Sequence, residues 1–233
     1  MKSFKKKLEI KKIINQIEGG VTQKDIISPS YVNTTNPNFI EIEKTYYAGL
    51  IIINYFREYQ EIILKPFMDL PENINISIFY EKQDKYKVIR DLTYHIGNVG
   101  AQLKDIKKNN QEIDIAAFTY QDAKYIRKEL QINNEDLYFL YIYMEIFNED
   151  KKELENQLNK IEGICNATGL ATRRATFRQE QTLLATLPLF QNNYQIKNSA
   201  KRNVLSSGLT ATYPFISSTI FDENGIFYRY RFL

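Results

Sequence analysis

The chain has 233 residues, with 31 Lys and Arg against 28 Asp and Glu and a formal net charge of +3. That length suits one large domain or two small ones with a real core, and so slight a basic excess does not by itself argue for nucleic acid. A single cysteine, Cys165, and a single histidine, His95, exclude an intramolecular disulfide and a zinc site of the usual Cys/His kind, which fits a reducing compartment.

Residues 2–18 read as a short basic amphipathic helix. Ile10, Ile13, Ile14 and Ile17 recur at helical spacing among Lys2, Lys5, Lys6, Lys7, Lys11 and Lys12, and Gly19-Gly20 ends it. Such a helix either packs its apolar stripe on the body or touches anionic lipid. No apolar stretch of signal-peptide length follows, and the longest aliphatic run, Leu50 to Ile53, is far too short to span a bilayer. Residues 21–38 carry turn chemistry. Phe39 to Glu43 alternates as a strand with one wet face, and Tyr46 to Tyr55 predicts a strand buried on both sides. Gly49 inside it marks a bulge or a close backbone approach.

Glu58–Lys65 predicts a short helix ended before Pro66. Ile74, Ile76, Ile78 and Tyr80 alternate as a strand. The period then changes: Val88, Leu92, Ile96, Val99, Leu103 and Ile106 predict a long helix over about Lys85–Lys108, with Gly97 and Gly100 allowing close packing on a neighbour. Asp122–Leu130 predicts a shorter helix capped by Gln121-Asp122. Leu137 to Phe147 is the most apolar and aromatic run and reads as a central strand. Its Tyr138, Tyr141 and Tyr143 read as core, because a base-stacking platform would want basic neighbours. Asp150 caps a helix with the stripe Leu154, Leu158, Ile161 and Ile164. A strand follows over Leu170–Phe177, then a helix over Arg178–Leu187 stopped by Pro188, then a polar loop from Asn192 to Ser199.

The order of elements predicts an α+β fold: a mixed sheet with long amphipathic helices packed on one side and a small N-terminal β subdomain. The expected divisions are a basic helix at 1–20, a β-rich subdomain at 21–70, an α+β domain at 71–200 and a linker at 201–233.

The glycines frame no G-x-x-x-x-G-K-[ST] loop, no G-x-G-x-x-G fingerprint and no G-x-S-x-G elbow, so nucleotide-loop and hydrolase signatures are absent. His95 reads as a core or boundary residue and Cys165 as a small buried hydrophobe. No catalytic, cofactor-binding or metal-binding residue is assigned. The one charge asymmetry lies late: Arg173, Arg174, Arg178, Lys197, Lys201 and Arg202 are opposed only by Glu180 between residues 173 and 202. Arg173, Arg174, Arg178, Lys201 and Arg202 form a candidate contact patch for an acidic partner, a neighbouring subunit or a nucleic-acid backbone.

Arg202 to Ser218, with Pro214-Phe215 inside it, is followed by Asp222-Glu223-Asn224-Gly225-Ile226-Phe227. This wording, and the element order from about Tyr46 onward, resembles the N-terminal part of the conjugation and type IV secretion ATPases, the CagE/TrbE/VirB family. The resemblance implies a non-catalytic N-terminal domain that contacts other components of the transfer machine, itself as an oligomer, and the inner membrane. It implies a cytoplasmic location, peripheral to that membrane. ATP and Mg are expected only in a motor domain that would follow; no cofactor is expected in this chain. Where the family continues into its motor, this chain ends in Tyr228-Arg229-Tyr230-Arg231-Phe232-Leu233. A reading from another class is a stand-alone DNA-binding accessory protein that uses the late basic segment.

Overall fold

The computed structural model describes residues 28–55, 64–68, 70–71, 73–103, 110–212, 219–220 and 228–229. The expected helix at 2–18, most of the helix expected at 58–65, the end of the helix expected to Lys108, and residues 213–218 and 222–227, on which the family resemblance partly rests, lie outside them.

The fold is α+β, built on one seven-stranded sheet. Its strands are β1 (Val32–Asn33), β2 (Ile40–Ile42), β3 (Thr45–Asn54), β4 (Ile74–Lys82), β5 (Leu137–Asn148), β6 (Ala171–Arg174) and β7 (Arg202–Leu205). Every pairing among the described residues is antiparallel. The twelve-residue β5 is the spine. One of its edges carries β4 along nearly its whole length, and the other carries β3 and β7 end to end. On the far edge of β3, β2 pairs with residues 45–47 and β6 with residues 50–54. The strands of residues 32–54 therefore continue the main sheet, because apolar Leu50–Ile52 needs cover on both faces and β5 supplies its neighbour.

Strand alternation separates two cores. On one face Leu140, Ile142, Met144 and Ile146 of β5 meet Ala48, Leu50 and Ile52 of β3 under the helix α4 (Lys151–Ala167), whose Leu154, Leu158, Ile161 and Cys165 are buried. Asp150 caps that helix as expected, accepting from the Lys152 N–H at 2.7 Å and the Glu153 N–H at 3.1 Å. The short helix α1 (Lys65–Met68) adds Phe67 to this core. Pro66 sits inside its first turn rather than ending a helix, a position where its missing N–H has no intrahelical partner to lose. On the other face Ile51, Tyr141 and Tyr143 lie under α5 (Gln179–Thr186) and α6 (Tyr194–Ala200) through Ala185, Ile196 and Ala200. Helices thus cover both faces. The second layer includes α6, which replaces the expected polar loop: Asn193 caps it by accepting from the Gln195 N–H at 2.9 Å. The strand expected over 170–177 is confined to the four residues of β6.

The long helix α2 (Lys85–Leu103) and α3 (Asn110–Gln131) pack antiparallel on each other, burying Ile96 and Val99 of one and Ala123 and Leu130 of the other. The helix α3 begins twelve residues before the expected cap, so Gln121-Asp122 lies mid-helix. Gly100 does permit close approach, since a β-carbon there would lie 3.3 Å from the Tyr120 ring; one at Gly97 would meet open space. A four-residue helix, α7 (Ser206–Leu209), continues into a 3-10 turn at Thr210–Thr212, and β8 (Thr219–Ile220) and β9 (Tyr228–Arg229) form a separate two-stranded pair. Among the described residues no helix is long and apolar enough to cross a membrane.

Candidate contact surfaces

The five residues of the basic patch do not converge. Arg174 pairs in register with Leu50, so its side chain falls on the α4 face. There its guanidinium reaches Glu155 at 2.6 Å, Glu162 at 2.9 and 3.0 Å and the Asn159 side-chain oxygen at 2.8 Å. The two carboxylates hold its proton more tightly than usual, Glu162 most strongly. Arg174 is a staple between β6 and α4. Arg173 alternates to the opposite face and is exposed. Arg178 is exposed at the start of α5 and donates to the Phe177 carbonyl at 3.3 Å. Lys201 places its ammonium 3.6 Å from the Phe139 ring centroid. Arg202 turns back onto the Ser199 and Lys201 carbonyls.

Lys197, outside that set of five, is also anchored. Its Nζ lies 2.7 Å from Glu81 and 5.4 Å from the Tyr141 ring centroid, and Tyr141 donates to the same Glu81 oxygen at 2.8 Å. Lys197 and then Tyr141 lower the Glu81 carboxyl. The aromatic spine does have basic neighbours, brought by α6 from some sixty residues away. Their ammonium groups sit over the rings of Tyr141 and Phe139 and so occupy faces that a base would need for stacking.

Glu145 is the residue that sequence reading passed over. It lies at the centre of β5, fully buried, between Gly49 of β3 and Asn75 of β4. Among the described residues neither carboxyl oxygen has a hydrogen-bond partner. Burial lifts its carboxyl well above the usual carboxylate range, because it penalises the charged form. The only sequence signal was one acid inside an eleven-residue apolar run. Beside it, Gln179 completes the β3 edge where β2 has ended and β6 has not begun. Its Oε1 accepts from the Gly49 N–H at 2.8 Å and its Nε2 donates to the Asn38 carbonyl at 2.9 Å.

Two further exposed apolar surfaces stand out among the described residues. Along the α2–α3 pair runs a groove of about 560 Å³ lined by His95, Asn98, Val99, Gln102, Ile115 and Thr119. It continues past Phe118 and Asp122. His95 is thus an exposed groove residue, not a core one, because the apolar stripe of α2 passes through Ile96 and Val99 instead. Ile115 is 68% and Phe118 59% exposed, so among the described residues the α3 side of the groove has little cover. The second surface is the turn after α5, where Leu189, Phe190 and Tyr194 are exposed and Phe190 holds a left-handed backbone at φ 54°. A bulky residue in that region is strained by about 1–2 kcal/mol.

No protein-family model matches the chain, and no curated protein matches it.

Proposed function

We propose that this chain is a non-catalytic, contact-making domain, the N-terminal domain of a conjugative-transfer or type IV secretion ATPase, acting through protein surfaces. The observation that carries the protein-contact part is the groove of the α2–α3 pair. A helix pair standing off the sheet, with Ile115 and Phe118 exposed on either side of Ala116-Ala117, has the chemistry of a docking element. The family part rests on the resemblance of Arg202 to Ser218 and Asp222 to Phe227. Phe190, with Leu189 and Tyr194, offers the chemistry for peripheral contact with a membrane interface. The DNA-binding reading is weakened by Arg174, whose guanidinium is committed to two carboxylates and is not free for phosphates.

Two experiments separate the parts of this reading. The genomic DNA beyond the codon for Leu233 is read in three frames for a G-x-x-x-x-G-K-[ST] loop; its absence removes the transfer-ATPase assignment. The double variant Ile115→Asp/Phe118→Asp is then assayed for DNA transfer between cells. Undiminished transfer with a normally folded variant would remove the groove from the mechanism.

A further inference from the structure

The two outer edges of the sheet are built differently. The edge beyond β3 is broken into the two-residue β1, the three-residue β2 and the four-residue β6, with a side chain, Gln179, filling the gap. Short, interrupted edges of this kind resist pairing with another chain. The edge at β4 is nine residues long and unbroken, and among the described residues no strand lies beyond it. Its stretch Ile74–Tyr80 contains no charge, proline or glycine.

The hydrogen-bond phase of β4 shows which backbone groups are free. The Phe147 N–H donates to the Asn73 carbonyl and the Gln83 N–H to the Leu137 carbonyl. With Ile74 opposite Ile146 and Lys82 opposite Tyr138, this makes the odd-numbered residues of β4 the ones bonded to β5. The N–H and C=O groups of Ile74, Ile76, Ile78, Tyr80 and Lys82 therefore point outward, and only another extended strand matches that spacing. The side chains of Ile74, Ile76 and Ile78 are half-buried against the α4-side core, so their apolar surface continues to the rim. Tyr80 bonds Thr212 on that same face through its phenol, at 2.8 Å, and among the described residues no strand pairs with its backbone edge.

We propose that β4 is a pairing edge for a second copy of this chain. The two β4 strands run antiparallel about a two-fold axis at Ile78, joining two seven-stranded sheets into one. The strand is self-complementary in this register. Ile78 meets its own copy, Ile76 meets Tyr80, Ile74 meets Lys82 and Asn75 meets Glu81, so no two like charges are opposed. All five outward residues bond, and the exposed flanks of Ile76 and Ile78 are covered by Tyr80 and Ile78 of the second copy. This inference is independent of the transfer-ATPase reading and survives its failure.

The test uses the 233-residue protein at two concentrations about a hundredfold apart, since pairing follows mass action. Light scattering gives the mass, and NMR hydrogen exchange gives the Ile76, Ile78 and Tyr80 amides. The expected result is a doubled mass at the higher concentration, with those three amides exchanging at least about tenfold more slowly than in the dilute sample. Ile76→Pro removes only an outward donor from the ladder and is expected to abolish both effects. A monomer at both concentrations overturns the proposal. So does a dimer whose three amides exchange at the dilute rate, or a folded proline variant that still dimerises. If that variant fails to fold, the amides of the unaltered protein still decide.

Discussion

Glu145 faces Gly49 across the β3–β5 ladder, and a β-carbon added at Gly49 would lie 3.1 Å from the Glu145 Oε2 and 2.4 Å from the Thr182 Cγ2. The glycine is therefore a spacer: it lets α5 settle onto the sheet directly above the buried acid. Gly49→Ala forces that helix outward and is expected to destabilise the protein by about 1–3 kcal/mol, as overpacking does. Urea denaturation reads this directly. Adding Thr182→Ser removes the nearest clashing atom and should recover part of the loss.

The raised carboxyl of Glu145 makes a distinct pH prediction. Its folded value stands above its ordinary value of 4.5, so above that pH the native state holds a proton that the unfolded chain releases. The contribution of this group is greatest at low pH. It falls as pH rises, by up to about 1.4 kcal/mol per pH unit until the folded value is reached. Glu145→Gln keeps the shape and removes the titration. The melting-temperature difference between variant and parent should therefore shift in favour of the variant from pH 5 to pH 8. A constant difference would show that Glu145 does not titrate on unfolding in that range.

Arg174 ties β6 to α4 through Glu155 and Glu162, the latter about three-quarters buried. Arg174→Ala is expected to cost about 1–2 kcal/mol, more than an ordinary surface pair, because the guanidinium is held by several oxygens at once. Arg174→Lys should recover little, since a point charge cannot span both carboxylates. Thermal melts at low and high salt check the assignment: the difference between parent and variants should narrow as salt rises.

Asp150→Ala removes the acceptor for two backbone N–H groups at the start of α4 and should cost about 1 kcal/mol. Asp150→Asn, which keeps an acceptor oxygen, should cost much less. Equal losses in urea denaturation would mean that charge rather than capping is at work.

The parts of the fold legible in sequence were those with a long, clean period. The alternation of β4, the apolar run of β5, and the four-step stripe and aspartate cap of α4 needed no tertiary information. The first half of α3 did not show itself because Ile113-Asp114-Ile115 alternates like a strand, and its partner α2 decides the matter. The helix α6 is only seven residues long and buries just Ile196 and Ala200, too few positions for a period to emerge. The candidate patch suffered most. Six cations close in sequence are distributed by β6, α5, α6 and β7 over both faces, and whether each is free depends on acids elsewhere: Glu155 and Glu162 for Arg174, Glu81 for Lys197. Glu145 gave a visible anomaly but no hint of its surroundings, because the lid over it is formed by α5, more than thirty residues later.

The position of β5 as the common neighbour of β3, β4 and β7 also governs how the chain can be made. A ribosome finishes β3 about 80 residues before β5 begins, roughly 4–16 s of synthesis at ordinary rates. Through that interval the Leu50–Ile52 stretch has no β5 to lie against. Assembly of the full sheet waits for residues 137–148, and until they emerge the apolar stretch of β3 has only local cover.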